Sequence, residues 1–187
     1  GPSAPIIIAG GHSTFNPEPM HAFIDLFIIG DGEEVVEEII DEISIAKEKN
    51  ISRFETIKNL SQISGVYNPR AFEVEYNPDN TIQQYVNANQ SDHGKIIKRF
   101  INQLPTPPLK PLVPNIKVVH DRIAVEIMRG CSRGCRFCQV GMIMRPIRER
   151  TVDEIILSIR NILQNTGISE ISLLSLSTSD YSHIKEL

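Results

Sequence analysis

Short apolar runs that end in glycine alternate along this chain with stretches of helical periodicity. Pro5-Ile-Ile-Ile-Ala9 and Leu26–Ile29 are apolar almost throughout, as strands buried on both faces are, and they close at Gly10-Gly11 and Gly30-Asp31-Gly32. Pro17 and Pro19 open a short helical stretch between them, since proline is accommodated in a first turn. From Glu33 to about Lys49, Val35, Val36, Ile39, Ile40, Ile43 and Ala46 predict one buried helix face. A second helix is predicted from Arg53 to about Gln62. The order β-α-β-α is half of a doubly wound α/β sheet. Two strands cannot cover helices on both faces, so residues 1–62 are expected to be the C-terminal half of a domain whose first strands lie upstream.

Residues 63–119 change character. Val66–Tyr67, Phe72–Tyr76 and Thr81–Val86 predict short strands around an Asn-Pro-Asp-Asn turn at 77–80, and Lys95–Leu104 predicts a helix. Pro105, Pro107, Pro108, Pro111 and Pro114 then make a semi-rigid, extended connector. Residues 120–187 read as β-α-β. Ile123–Met128 is the first strand, and Thr151-x-x-Glu154 is a capping box. It opens a helix with Val152, Ile155, Ile156, Ile159, Ile162 and Leu163 on its buried face. Gly167 stops that helix, and Ile171–Leu176 is the second strand. One β-α-β unit is not a domain, so an internal fragment, truncated at both ends and inactive alone, is expected.

Composition narrows the class. Of 187 residues 41% are hydrophobic, enough for a packed core, yet no apolar run approaches the roughly 20 residues of a membrane span. No signal peptide opens the sequence, and a cytoplasmic protein with no membrane partner is expected. The net charge of −4 conceals two opposed segments. Residues 31–42 hold Asp31, Glu33, Glu34, Glu37, Glu38, Asp41 and Glu42, read as a solvated helix face whose first-turn acids suit the dipole. Residues 129–150 hold Arg129, Arg133, Arg136, Arg145, Arg148 and Arg150 against one acid, Glu149. These arginines either balance an anionic centre and nearby carboxylates or meet a phosphate-bearing substrate such as RNA.

The chemistry lies in the cysteines. Cys131, Cys135 and Cys138 share one window, too close and odd in number for a disulfide framework. Ribbon-type zinc sites need paired C-x2-C units and four ligands, and the nearest further candidate, His120, lies across the strand. Three thiolates instead match an iron–sulfur cubane with one iron open to a small molecule. Gly130 and Gly134 let the loop wrap a bulky group. A non-catalytic electron-transfer module or a structural zinc site is the alternative.

Cys131-x3-Cys135-x2-Cys138, with Phe137 before the last cysteine, resembles the signature of radical S-adenosylmethionine (radical SAM) enzymes. The resemblance implies a partial (β/α) barrel at 120–187 and a 4Fe–4S cluster on Cys131, Cys135 and Cys138. It also implies S-adenosylmethionine on the open iron and an external one-electron donor such as flavodoxin or ferredoxin. Phe137 would flank the adenine. Many members carry Gly-Gly-Glu on the second strand, where this chain has Ser175-Leu-Ser-Thr-Ser-Asp180, so Ser177, Thr178 and Asp180 are the candidates for that role. Residues 1–62 resemble the last part of a Rossmann-like, cobalamin-binding-type domain. That likeness makes cobalamin a candidate cofactor and Gly10, Gly11, Thr14 and Gly30 candidates for its groove. The substrate is left open, with methyl or methylthio transfer among the outcomes.

Overall fold

The computed structural model describes residues 4–87, 96–116, 119 and 122–187. The chain forms two compact units, one up to Ile101 and one from Asn102 onward.

In the first unit, β1 (Ile8–Ala9) runs parallel to β2 (Leu26–Ile28), with Ile8 beside Leu26 and Ala9 beside Phe27. Two helices follow, α1 (Glu33–Glu48) and α2 (Arg53–Leu60). Then β3 (Val66–Tyr67) returns antiparallel along the other edge of β2. The sheet is therefore mixed, and its third strand comes from the stretch expected to be connector. Alternation along β2 separates two cores. Leu26 and Ile28 meet Val35, Ile39, Ile57, Leu60 and Val66. Phe27 and Ile29 meet Tyr67, with Phe15, Phe72 and Ile96 packed against them. Burial on both faces is why 26–29 reads as an unbroken apolar run. At the start of β2 the buried Asp25 carboxylate accepts from the Ile7 amide at 2.9 Å and from Arg53, and pairs with Arg70 at 3.3 Å.

Three expectations need correction here. The buried stripe of α1 is narrower than its pattern suggests: Val35, Ile39 and Ala46 are buried, whereas Val36 and Ile40 are 46% and 56% exposed. The acids of α1 are not all solvated, because Glu34 and Glu38 both hold Arg99. The described part of 95–104 is extended, not helical. Its Arg99 amide donates to the Ile29 carbonyl at 2.9 Å, and its carbonyl accepts from the Asp31 amide at 3.0 Å. Gly30 makes this approach possible, since a Cβ there would lie 1.9 Å from the Arg99 oxygen, and its φ is +116°. The predicted hairpin does form, as β4 (Phe72–Tyr76) and β5 (Ile82–Asn87), with the Asn77 amide donating across the turn to Thr81 at 2.8 Å.

The second unit contains β6 (Ile123–Glu126), β7 (Met128–Arg129), α3 (Val140–Ile143), β8 (Arg148–Glu149), α4 (Val152–Thr166) and β9 (Ile171–Leu174). β6 and β9 pair in parallel, with Val125 beside Leu173, and α4 crosses between them. β7 and β8 pair antiparallel. The single strand expected over 123–128 thus splits at Ile127, which is fully buried and bonded on both sides. Its amide donates to Leu174 at 3.0 Å, and its carbonyl accepts from Arg150 at 2.9 Å. β9 stops at Leu174, short of the expected Leu176, so Ser175 and Ser177 lie beyond the strand.

The start and stop of α4 follow the expected chemistry. The Thr151 hydroxyl accepts from the Glu154 amide at 3.3 Å, the Glu154 carboxylate accepts from the Thr151 amide at 2.9 Å, and Gly167 is left-handed at φ 71°. Ile155 and Ile162 join Val125, Ile127, Met128 and Tyr181 in the core. The proline-rich residues 105–114 form no regular element. Among the described residues, no helix is long and apolar enough to cross a membrane.

Candidate metal centre

The cysteine loop leaves β7 at Gly130 and returns through Ile147 into β8, so a two-stranded clip closes it, pairing Met128 with Glu149 and Arg129 with Arg148. The loop folds tightly on itself. A Cβ on Gly130 would lie 2.5 Å from the Met144 oxygen, and one on Gly141 would lie 2.0 Å from the Arg133 oxygen. Gly134, in contrast, faces open space. The Cys138 amide donates to the Cys135 carbonyl at 3.0 Å, and the Arg133 amide reaches the Cys131 sulfur at 3.4 Å. All three cysteines are free thiols, Cys135 exposed and the other two half-buried. Phe137, between Cys135 and Cys138, is 92% exposed. Among the described residues, no three His, Cys, Asp or Glu side chains stand in position to hold a metal ion. His120 lies outside the described residues.

The segment after β9 comes to this loop. Thr178–Asp180 forms a 3-10 turn, and the Asp180 carboxylate accepts from Arg133 at two points, Nε at 2.8 Å and Nη2. The Arg133 guanidinium holds the Asp180 carboxyl down at about 2, helped by Ser177. Arg133 itself is pushed up, chiefly by Asp180 and further by Cys131 and Cys135. Ser175 and Thr178 share a hydroxyl hydrogen bond at 2.8 Å. The segment is pinned by Tyr181, fully buried, whose hydroxyl donates to the Arg150 carbonyl at 2.9 Å, and by the Ser182 amide, which donates to Glu149 at 2.9 Å. Asp180 is therefore brought to the cysteine loop, with Ser177 and Thr178 on the same turn, whereas the Phe137 ring stands in solvent.

Arg129, Arg133 and Arg150 of the arginine group are tied to carboxylates within the unit. Arg129 and Arg150 converge on Glu126, at 3.0 and 3.1 Å, and Arg133 takes Asp180. Sequence reasoning missed Glu126 and Tyr181 as organising residues. Glu126 left a visible signal, one charge inside the apolar run 123–128, while nothing around Tyr181 marked it.

In the first unit, Gly10 and Gly11 face open space, Gly11 at φ +99°. The Thr14 hydroxyl is buried, 2.7 Å from both the Gly11 and Ile28 carbonyls, and Gly30 is covered by the Arg99 backbone. Thr14 and Gly30 thus serve the fold itself, and the cobalamin expectation gains no support from them.

Comparison with known families accounts for both units. The family described as radical SAM proteins, N-terminal, matches residues 1–69, and the radical SAM superfamily matches residues 125–187, a span that includes the end of β6 and all three cysteines. The chain belongs to the radical SAM proteins. Radical SAM enzymes in general use a thiolate-held 4Fe–4S cluster and S-adenosylmethionine. An uncharacterised protein of Methanocaldococcus jannaschii is 35% identical over 63 residues, covering 34% of this chain and 14% of that protein. The chain therefore spans only a small part of that relative's length. The donor chemistry suits such a cluster: three reduced, soft thiol ligands sit on one loop, all reachable from solvent.

Proposed function

We propose that Cys131, Cys135 and Cys138 ligate three irons of a 4Fe–4S cluster in a radical SAM enzyme, with S-adenosylmethionine at the fourth. The observation that carries this reading is the clipped loop, which carries three free thiols within the superfamily match. A cubane takes each thiolate on a different iron, so its ligands need not crowd one ion as tetrahedral zinc ligands must. When bound, the cluster supplies the electron that cleaves the sulfonium of S-adenosylmethionine.

The chain's own residues position and shield. Phe137 is free to flank the adenine, and the turn at Ser177 and Thr178 offers hydroxyls beside the loop. Asp180, held ionised by Arg133, fixes that turn to the cysteines. Arg133 also sets a positive charge near Cys131 and Cys135. An external flavodoxin- or ferredoxin-type donor supplies the electron. The pairing of Arg129, Arg133 and Arg150 with carboxylates supports charge balance for these three over RNA phosphate contact. Cobalamin has no part in this reading.

Anaerobic reconstitution with iron and sulfide tests it. The expected result is about four irons per chain, lost on Cys→Ala substitution at any of the three positions, and a cluster EPR signal that changes with S-adenosylmethionine. The full-length enzyme is expected to release 5′-deoxyadenosine when reduced. Stoichiometric zinc in place of iron, or a normal cluster indifferent to S-adenosylmethionine, would overturn the reading.

A further inference from the structure

The first unit contains a cavity of about 530 Å³ that the cysteine chemistry does not use. It lies where the chain leaves the carboxyl ends of the parallel pair β1 and β2, with Thr14, Phe15 and Ile29 in its wall. Open α/β sheets take ligands at that edge, and the volume is in the range of small-molecule sites.

Its lining is chemically selective. Phe15, Tyr67, Phe72 and Tyr85 supply four aromatic rings, and Glu18 is the one charged residue among the described residues that line it. The Tyr67 phenol is pushed far up, chiefly by burial and then by Glu18, so it stays protonated and donates to Glu18 Oε1. The second Glu18 oxygen has no hydrogen-bond partner among the described residues, and the half-buried Glu18 lines the cavity. Aromatic faces attract cations, and a carboxylate beside them attracts paired N–H donors. An anion would meet repulsion and no described counter-charge.

We propose that this cavity binds a planar aromatic cation of the amidinium or amino-heteroaromatic class, its N–H edge on Glu18 and its ring among the aromatic side chains. The site needs neither the cluster nor S-adenosylmethionine, so its failure would leave the reading of the cysteine loop untouched.

The chain has no tryptophan and only four tyrosines, and Tyr67 and Tyr85 line the cavity, so tyrosine fluorescence reports occupancy directly. Titration with benzamidine, benzamide and benzoate is expected to rank them in that order. Glu18→Gln should weaken benzamidine by about tenfold or more, toward the affinity of benzamide. Because Glu18 also holds Tyr67, Gln84→Lys at the exposed rim provides a variant that leaves this bond alone. It should weaken benzamidine and strengthen benzoate. Equal binding of benzamidine and benzoate, no binding at millimolar concentration, or unchanged affinity in a folded Gln84→Lys protein would overturn the proposal.

Discussion

Arg133 and Asp180, 47 residues apart in sequence, meet in a two-point hydrogen-bonded pair that joins the cysteine loop to the turn after β9. The pair is well exposed on the arginine side, so its contribution is local order more than global stability. Asp180→Asn is expected to leave the melting temperature nearly unchanged while amide exchange over residues 132–136 speeds up several-fold. Because the folded carboxyl is depressed to about 2, the pair's contribution is intact above the ordinary value of 3.8 and disappears as pH falls through about 2. Carboxyl NMR should show that midpoint, and Arg133→Gln should return it toward 3.8.

Gly141 tests whether the loop's fold matters to its chemistry. An alanine methyl there would meet the Arg133 carbonyl at 2.0 Å, and backbone does not yield as a flexible side chain does. Gly141→Ala is expected to destabilise the second unit by about 1–3 kcal/mol and to lower iron content on reconstitution. Gly134→Ala, facing open space, should do neither. Iron and sulfide assay beside thermal melting separates the two variants.

Tyr181 combines packing with one hydrogen bond. Tyr181→Phe keeps the ring and loses only the donation to Arg150, an expected loss of about 1 kcal/mol. Tyr181→Ala also opens a cavity beside Ile127 and Ile155, and about 3–5 kcal/mol is expected. Urea denaturation of both variants measures the difference.

Asp25 makes the first unit acid-sensitive. Burial pushes its carboxyl up, but the Ile7 amide together with Arg53 and Arg70 outweighs that and holds it below 3.8. Its contribution is therefore full above 3.8 and declines as pH falls through the lower folded value. Asp25→Asn is expected to cost about 2 kcal/mol at neutral pH and to flatten the acid limb of the stability profile. Denaturation midpoints across the acid range, compared with wild type, provide the check.

Local chemistry was legible in the sequence where it acts alone. The capping box at Thr151, the stop at Gly167 and the turn at 77–80 depend on near neighbours, and each forms as expected. What the sequence hid depends on distant partners. Val66–Tyr67 carries no mark that it pairs with β2, and the segment around Arg99 is extended because Gly30 and the acids of α1 receive it. Ile127 likewise looks like the middle of one strand, although its two backbone groups serve different sheets. The meeting of Arg133 with Asp180 is of the same kind: both residues stood in view, but nothing local paired them.

The clip of β7 and β8 gives the cysteine loop a thermodynamic head start. For a flexible loop of roughly 18 residues, bringing the ends together costs about 2–3 kcal/mol plus a constant. Here the backbone bonds of the clip and the buried Met128 already hold those ends. On the proposed ligation, metal uptake has only to order the interior of the loop, so affinity for iron is expected to follow the integrity of two short strands that carry none of the three cysteines.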